Sequence, residues 1–294
     1  MNRMRVPHHL QRLARQDGGE SWLDDLPRLA AECAGEWSLR AVGEPYADSS
    51  VSLVLPAEVP DGGSVVLKLQ FPHRESEHEA AALEHWSGDG AVLLVAHDVR
   101  RNALLIERCT PGVHLSTEDP DKGLSVLTAI LPRLWKPAGE PFTPLLEEAE
   151  LWKQGLTQRW EMAGRPFERR LLDAATEALE DLAGTQGEQV LVHQDLHGDN
   201  VLSAEREPWL AIDPKPLVGE REFAVAPIVR SYELGHSRTA VWKRLDRLTA
   251  DLGLDRERAR LWSFAQTLAW AFEDGSVLPR HVETARWLLD GRGG

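Results

Sequence analysis

The order of apolar and polar positions divides the chain into a strand-rich part and a helix-rich part near residue 110. Apolar residues recur at helical spacing over 12–36, and Asp17-Gly18-Gly19 breaks this stretch into two helices. From residue 39 the spacing changes to alternation, which predicts strands over 51–55 and 65–69. Turn-forming residues between these strands join them into a β-hairpin.

A helix over 75–86 and a second hairpin, formed by 92–96 and 103–106, complete the strand-rich part. Beyond it, helical spacing dominates, and the short apolar runs 190–193 and 209–213 interrupt it. We expect these two runs to be the strands of a hairpin embedded among helices. The predicted helices share apolar residues three and four positions apart: 123–135, 145–162, 167–183, 229–252, 256–272 and 278–289.

This pattern predicts an α+β protein with a small N-terminal β-sheet-plus-helix lobe and a larger, mainly helical C-terminal lobe. We place the first lobe at 1–106, with 1–36 as a helical extension. Residues 107–112 form the connector, and 113–294 form the helical lobe.

The charge balance narrows the classes of partner. The 47 Asp+Glu residues outnumber the 33 Lys+Arg residues, which gives a net charge of −14. Such a chain repels nucleic-acid phosphates and anionic lipid surfaces, so we expect neither partner and favour a cationic ligand. The two cysteines suit a reducing compartment, and no apolar run approaches the length of a membrane span. We therefore expect a cytoplasmic monomer or dimer.

The stretch from Val192 to Asn200, followed by 212–215, concentrates polar residues at two predicted strand ends. Phosphoryl transfer from a nucleotide needs a carboxylate that orients a hydroxyl and oxygen ligands that hold Mg²⁺ against the phosphates. Asp195, Asn200 and Asp213 supply that set. Any one of them alone is an ordinary turn residue, but their joint spacing favours the chemistry.

The pattern His193-x-Asp195-x-x-x-x-Asn200, followed by Ile212-Asp213, resembles the catalytic motif of the aminoglycoside phosphotransferase family. The run 209–215 is similar, more narrowly, to the streptomycin 6-kinase and hydroxyurea phosphotransferase subfamily. The resemblance implies a bilobal protein-kinase-like fold that uses ATP and Mg²⁺. It further implies Asp195 as the catalytic base, Asn200 and Asp213 as metal ligands, and His193 as a structural residue of the loop.

The same resemblance implies that the small lobe contains a lysine that binds the α- and β-phosphates and a helical glutamate that holds this lysine. Lys68 lies inside an apolar strand, where a charge is costly unless it is paired or faces a cleft. An outward-facing edge lysine is the alternative. Glu79 lies four residues before Leu83 on the core-facing stripe of its helix, and Glu75, one turn earlier, remains the alternative partner.

The remaining nucleotide contacts are expected in two loops. The stretch 43–50 precedes a strand, and Gly43, Ser49 and Ser50 would bind phosphate through backbone N–H groups and hydroxyls, although an ordinary polar turn has the same composition. In the connector, the carbonyl of Glu107 and the N–H of Cys109 would meet the adenine edge, as the resemblance implies.

The resemblance places the acceptor on the helical lobe, where acids would attract a polycation. We expect Glu233, Glu273 and Asp274 to contact it, and Lys215 either to steady phosphate charge or to be a surface lysine. One position departs from the family pattern, because Ala224 stands where an acid is usual. This departure leaves the anchoring of the helical lobe unexplained.

Together these features predict an ATP-dependent phosphotransferase that acts on a hydroxyl of a small cationic molecule, such as the aminoglycoside streptomycin. The alternatives are a metabolic kinase of sugars or amino alcohols and a non-catalytic nucleotide-binding regulator. A protein kinase is disfavoured, because the stretch after Asp213 lacks an Ala-Pro-Glu-like anchor.

Overall fold

The computed structural model describes residues 6–47, 49, 51–273 and 275–291, and it divides after Gly112 into two compact units. In the first unit a 3₁₀ helix at His8–Arg15 precedes the first α-helix, so the chain breaks at 17–19 as the glycines predict. The elements of this unit are, in chain order, α1 (Gly19–Glu36), β1 (Ala41–Val42), β2 (Ser52–Glu58), β3 (Ser64–Gln70), α2 (Glu79–Trp86), β4 (Leu94–Asp98) and β5 (Ala103–Glu107).

The strands of the first unit form one antiparallel sheet in the order β1-β2-β3-β5-β4. Both predicted hairpins are present, with β2 pairing β3 and β4 pairing β5. The register sets Leu53 opposite Leu69 and Leu55 opposite Leu67, so the apolar side chains of both strands share one face.

The two faces of β3 have different neighbours. Leu67 and Leu69 are fully buried in a core that includes Leu26 of α1. Because side chains alternate along a strand, Lys68 and Gln70 point to the opposite face, where both contact Glu79 of α2. A shift of one residue in the register would bury Lys68 among leucines, so the apolar core fixes which face carries the charge.

The second unit is mainly helical. Its elements are, in chain order, α3 (Pro120–Leu134), β6 (Thr143–Pro144), α4 (Leu145–Met162), α5 (Arg169–Ala183), β7 (Val190–Val192), β8 (Val201–Ser203), β9 (Trp209–Ala211), β10 (Leu217–Gly219), α6 (Arg221–Ala224), α7 (Ala226–Arg230), α8 (Arg238–Leu252), α9 (Arg256–Ala269), β11 (Phe272–Glu273), β12 (Ser276–Val277) and α10 (Pro279–Asp290). No helix among the described residues is both long and apolar enough to cross a membrane.

The strand pairing in this unit corrects one prediction. The runs 190–193 and 209–213 do not pair with each other: β7 pairs antiparallel with β10, and β9 pairs with β8. The embedded hairpin is therefore β8–β9, closed by the short turn 204–208. The long loop that follows β7 forms backbone hydrogen bonds with the residues after β9.

The predicted helix 229–252 is also wrong as a single element. The structure ends α7 at Arg230 and begins α8 at Arg238, with a loop between them. Gly235 has φ 95° in this loop, and the Ser237 hydroxyl accepts a hydrogen bond from Ala240 N as the cap of α8. Both local features favour an interruption, which the prediction of a single helix did not take into account.

A buried carboxylate anchors the helices beyond β10. Glu220 is 1% exposed and accepts hydrogen bonds from Nε of Arg258 at 2.7 Å, from the indole of Trp262 and from Gly187 N at 3.0 Å. This carboxylate stands four residues before Ala224, which is buried among apolar side chains. Glu220 therefore connects the segment after β10 to α9 and to Gly187.

Candidate active site

Two segments that follow strand ends are joined by backbone hydrogen bonds: the 193–200 loop after β7 and the 212–215 segment after β9. The carbonyl oxygen of His193 accepts from both Asp195 N, at 2.8 Å, and Lys215 N, at 3.0 Å. Farther along the loop, Ile212 N donates to the Asn200 carbonyl at 2.9 Å. These bonds hold both segments in one frame.

The His193 side chain adds a third connection. Its Nε2 donates to the Ile212 carbonyl at 2.9 Å, which fixes the tautomer because a carbonyl oxygen can only accept. Burial lowers the pKa of His193 to about 4, so the ring is neutral at physiological pH. This geometry is that of a structural residue, and the role stays a prediction.

The backbone is unusual beside each candidate carboxylate. Gln194 and Asp213 have φ values of 63° and 57°, the left-handed region that side chains other than glycine seldom adopt. Such conformations persist where surrounding bonds impose them, and they are concentrated at functional sites. Here the frame of bonds around His193 and Ile212 imposes them.

The Asp195 carboxylate is flanked by two cations. Nζ of Lys215 lies 3.2 Å from Oδ2, and Nη2 of Arg230 lies 3.2 Å from Oδ1. Burial alone would raise the pKa of Asp195, but the charges of Lys215, His197 and Arg230 outweigh this effect and hold the pKa below its ordinary value. Asp195 is therefore ionised at neutral pH.

Sequence reasoning missed the residues that hold these cations. Arg230 and Lys215 both lie against Trp270, with the guanidinium carbon 4.5 Å and the ammonium 4.7 Å from a ring centroid. Gln266 accepts from Arg230 at 2.5 Å and donates to the Gln194 carbonyl at 3.2 Å. Arg230 ends α7, Gln266 lies in α9 and Trp270 directly follows α9, so no local pattern links them to Asp195.

Glu233 faces the 193–200 loop. Its Oε1 accepts from Gly198 N at 2.9 Å and lies 3.4 Å from Nδ1 of His197. Burial would raise the pKa of Glu233, but the hydrogen bond and charge of His197 lower it to about 2. The Glu233 carboxylate is therefore ionised and bonded to the 193–200 loop. A contact between Glu233 and the acceptor stays a prediction.

Asn200 and Asp213 fit a Mg²⁺ site by their chemistry. Asn200 donates from Nδ2 to the Asp195 carbonyl at 2.8 Å, so Oδ1 is the amide atom that would meet a metal. Among the described residues no group of three or more His, Cys, Asp or Glu side chains is arranged to hold a metal ion. Mg²⁺ does not need one, because it keeps several waters and binds substrate phosphates beside one or two protein oxygens.

In the first unit Lys68 pairs with Glu79. Nζ of Lys68 lies 2.8 Å from Oε1 and 2.7 Å from Oε2, and the two residues are 5% and 1% exposed. Gln70 donates to the same carboxylate. The ion pair is buried, and its hydrogen bonds hold the Lys68 ammonium in one position. A phosphate-binding role of Lys68 stays a prediction.

The expected phosphate loop is partly described. Gly43 N donates to the Pro56 carbonyl at 2.8 Å, and Oγ of Ser49 accepts from Ser52 N at 3.2 Å. Ser50 lies outside the described residues. Phosphate binding by this loop stays a prediction.

Three further candidates have local structure that leaves their roles open, and a fourth lies outside the described residues. Glu107 ends β5 and accepts from Leu93 N through its side chain at 3.0 Å, and Cys109 is half-buried. Glu273 is exposed on β11, and Asp274 lies outside the described residues. Their contacts with adenine and acceptor stay predictions.

Gly198 is required by close packing. A Cβ on this residue would lie 2.9 Å from the backbone N and Cα of Ser116, closer than real Cβ contacts. His114, in the same stretch, bonds through Nδ1 to the Asp199 carbonyl at 2.8 Å. The 193–200 loop is therefore packed against the chain that leads into α3.

The chain is similar in sequence to known kinases. Residues 36–275 match the family described as aminoglycoside/hydroxyurea antibiotic resistance kinase. The chain is 37% identical to streptomycin 6-kinase of Streptomyces griseus, over 96% of each protein. It is 40% identical to hydroxyurea phosphotransferase of Kitasatospora aureofaciens, over 94% of this chain and 82% of that protein.

Solved structures with the same fold include choline kinase LicA from Streptococcus pneumoniae, with TM-score 0.62 and 12% identity, covering 90% of this chain and 98% of that one. A thermostable mutant of aminoglycoside phosphotransferase APH(4)-Ia, in a ternary complex with AMP-PNP and hygromycin B, has TM-score 0.59 and 14% identity. That match covers 88% of this chain and 95% of the other. The predicted protein-kinase-like α+β fold is confirmed.

We predict that Gly198→Ala lowers activity more than stability. The added methyl group must displace the Ser116 backbone or the 193–200 loop, which shifts Asn200 and Asp195. A displacement of about 1 Å at a reacting centre costs about a hundredfold in rate. The measurement is kcat together with the melting temperature, and Gly139→Ala, where a Cβ meets nothing within 4 Å, is the control.

We predict a loss of stability as pH falls from about 6.5 to 4. Burial and the charge of Arg230 lower the pKa of His281 to about 4, so the unfolded chain binds a proton in this range that the folded chain does not. His281→Gln should remove up to about 3 kcal/mol of this loss. Urea unfolding at pH 7.5 and pH 4.5 measures it; equal losses in both proteins contradict the prediction.

Proposed function

The chain belongs to the aminoglycoside/hydroxyurea antibiotic resistance kinase family, and we propose that it transfers the γ-phosphate of ATP to a hydroxyl of a small cationic acceptor, an aminoglycoside such as streptomycin. The observation that carries this proposal is the bonded frame that holds Asp195 beside Asn200 and Asp213. The streptomycin 6-kinase similarity over nearly the whole chain supports the acceptor class.

Asp195 orients the acceptor hydroxyl. Because its pKa is lowered, the carboxylate is ionised and accepts a hydrogen bond from the hydroxyl at neutral pH. Lys215 and Arg230 make it a weak base, which suits phosphoryl transfer because bond formation to the acceptor oxygen lags behind bond cleavage. The proton passes to Asp195 as the new bond forms.

Bound ATP would need a metal ion and a cation for its phosphates. Bound Mg²⁺ would neutralise charge on the β- and γ-phosphates, and Oδ1 of Asn200 and the Asp213 carboxylate are the oxygens that would hold it. Lys68 offers an ammonium to the phosphates, and Glu79 and Gln70 fix its position. The solved relative with AMP-PNP supports a nucleotide as the second substrate.

The charges near Asp195 constrain the acceptor. Lys215 and Arg230 place two cations beside the reacting hydroxyl, which disfavours a cationic group of the acceptor at that point. The guanidinium or ammonium groups of an aminoglycoside then bind farther away, where the exposed Glu273 and the net charge of −14 attract them. Hydroxyurea is the second candidate, because of the 40% identity to a hydroxyurea phosphotransferase.

The acceptor prediction is tested by ADP release with MgATP and a panel of streptomycin, hygromycin B, hydroxyurea and choline. We expect streptomycin to stimulate turnover and choline to leave it at the level without acceptor. Turnover with hydroxyurea alone selects the second candidate. ATP binding without transfer to any member contradicts the proposal and indicates a regulator.

We predict that Asp195→Asn lowers kcat by about 10²–10⁴-fold, because the amide neither accepts the proton nor carries the charge that orients the hydroxyl. The affinity for MgATP should change little, since Asp195 acts on the acceptor. Asp173→Asn, an exposed carboxylate of α5 paired with Arg169, is the matched control. A variant that keeps more than a tenth of wild-type kcat excludes Asp195 as the base.

A further inference from the structure

The loop between α7 and α8 reaches the 193–200 loop at two points three residues apart. Arg230, at the end of α7, contacts Oδ1 of Asp195 at 3.2 Å. Glu233 accepts the Gly198 N–H at 2.9 Å. One short stretch, 229–235, therefore holds both the carboxylate and the turn that leads to Asn200; we call this stretch the brace.

A buried arginine fixes the brace from behind. Arg244 of α8 is 2% exposed, and its guanidinium donates to the carbonyls of Val229, at 3.1 and 2.8 Å, Leu234, at 2.9 Å, and Gly235, at 2.7 Å. A guanidinium presents its donors in a rigid plane, so these bonds define the path of the backbone on both sides of Glu233. Lysine, with one ammonium, does not reproduce them.

We propose that Arg230 and Glu233 are positioning residues that set the orientation of Asp195 and the conformation of the 193–200 loop for phosphoryl transfer, and that Arg244 holds the brace which carries them. This inference rests on the proposed function for its kinetic part. Its conformational part is independent of any acceptor.

The contacts of Arg230 favour a geometric role over a purely electrostatic one. Lys215 already places a positive charge 3.2 Å from Asp195. Arg230 is itself fixed, because Gln266 accepts from Nη1 at 2.5 Å and the guanidinium lies 4.5 Å from the Trp270 centroid. A cation held at two other points orients the carboxylate that it contacts.

The contacts of Glu233 fix the loop rather than the carboxylate. A charged acceptor on the Gly198 N–H makes a stronger bond than a neutral one, and Nδ1 of His197 lies 3.4 Å from the same oxygen. Gly198 begins the turn that contains Asn200. Loosening this bond therefore loosens the segment that carries a metal ligand.

The kinetic test compares Arg230→Lys, Arg230→Gln and Glu233→Gln with Arg169→Gln, an exposed arginine of α5 paired with Asp173. We expect kcat to fall by about tenfold to a hundredfold in the first three, with KM for ATP within about threefold of wild type. Arg230→Lys keeps the charge, so a loss in that variant separates geometry from charge. Wild-type kcat in both Arg230 variants overturns the proposal.

The conformational test is hydrogen exchange of the peptides that cover 193–203, in the full chain without nucleotide or acceptor. We expect these peptides to exchange faster in Glu233→Gln and Arg230→Gln than in wild type. In the same two variants the peptides of α5 should exchange as in wild type. In the control variant Arg169→Gln the 193–203 peptides should also exchange as in wild type. Unchanged exchange in both variants overturns the proposal whatever the kinetics. If the wild type phosphorylates no acceptor, the proposed function fails while faster exchange still supports the brace.

Discussion

The candidate active site depends on the way the 193–200 loop is bonded to the 212–215 segment. The carbonyl of His193 accepts two backbone N–H groups, and Ile212 bonds on one side to Asn200 and on the other to the His193 ring. Neither segment is paired as a regular strand, so these bonds satisfy backbone groups that strand pairing would otherwise satisfy. They also hold Gln194 and Asp213 in left-handed conformations. The two bonded segments carry the side chains of Asp195, Asn200 and Asp213.

The parts of the molecule that follow a local period were predictable. Alternation along β3 places Lys68 on the face away from the leucine core, and helical spacing places Glu79 on the face of α2 that meets it. The motif that contains Asp195, Asn200 and Asp213 was identified because its spacing in sequence is fixed. In both cases the residues that interact are close in the chain or belong to neighbouring elements.

The contacts that were missed join distant parts of the chain. Arg230 and Trp270 meet beside Asp195 only after α7 and α9 have packed, and no spacing rule connects them. The break between α7 and α8 is a different case, because Gly235 and the Ser237 cap mark it locally and the prediction of a single helix did not take either signal into account. The contacts of Arg230 with Trp270 and Asp195 depend on how the helices pack, whereas a sequence pattern describes one helix or strand at a time.

Helix α1 bears on where this chain can be cut without losing its fold. The family match begins at residue 36, where α1 ends, although the similarity to streptomycin 6-kinase extends over 96% of the chain and includes the helix. Its side chains nevertheless complete the core over Leu53, Leu55 and Leu67. The matched segment 36–275 on its own would leave an apolar face of the sheet in water. The limits of the family match are therefore narrower than the limits of a stable fold in this chain.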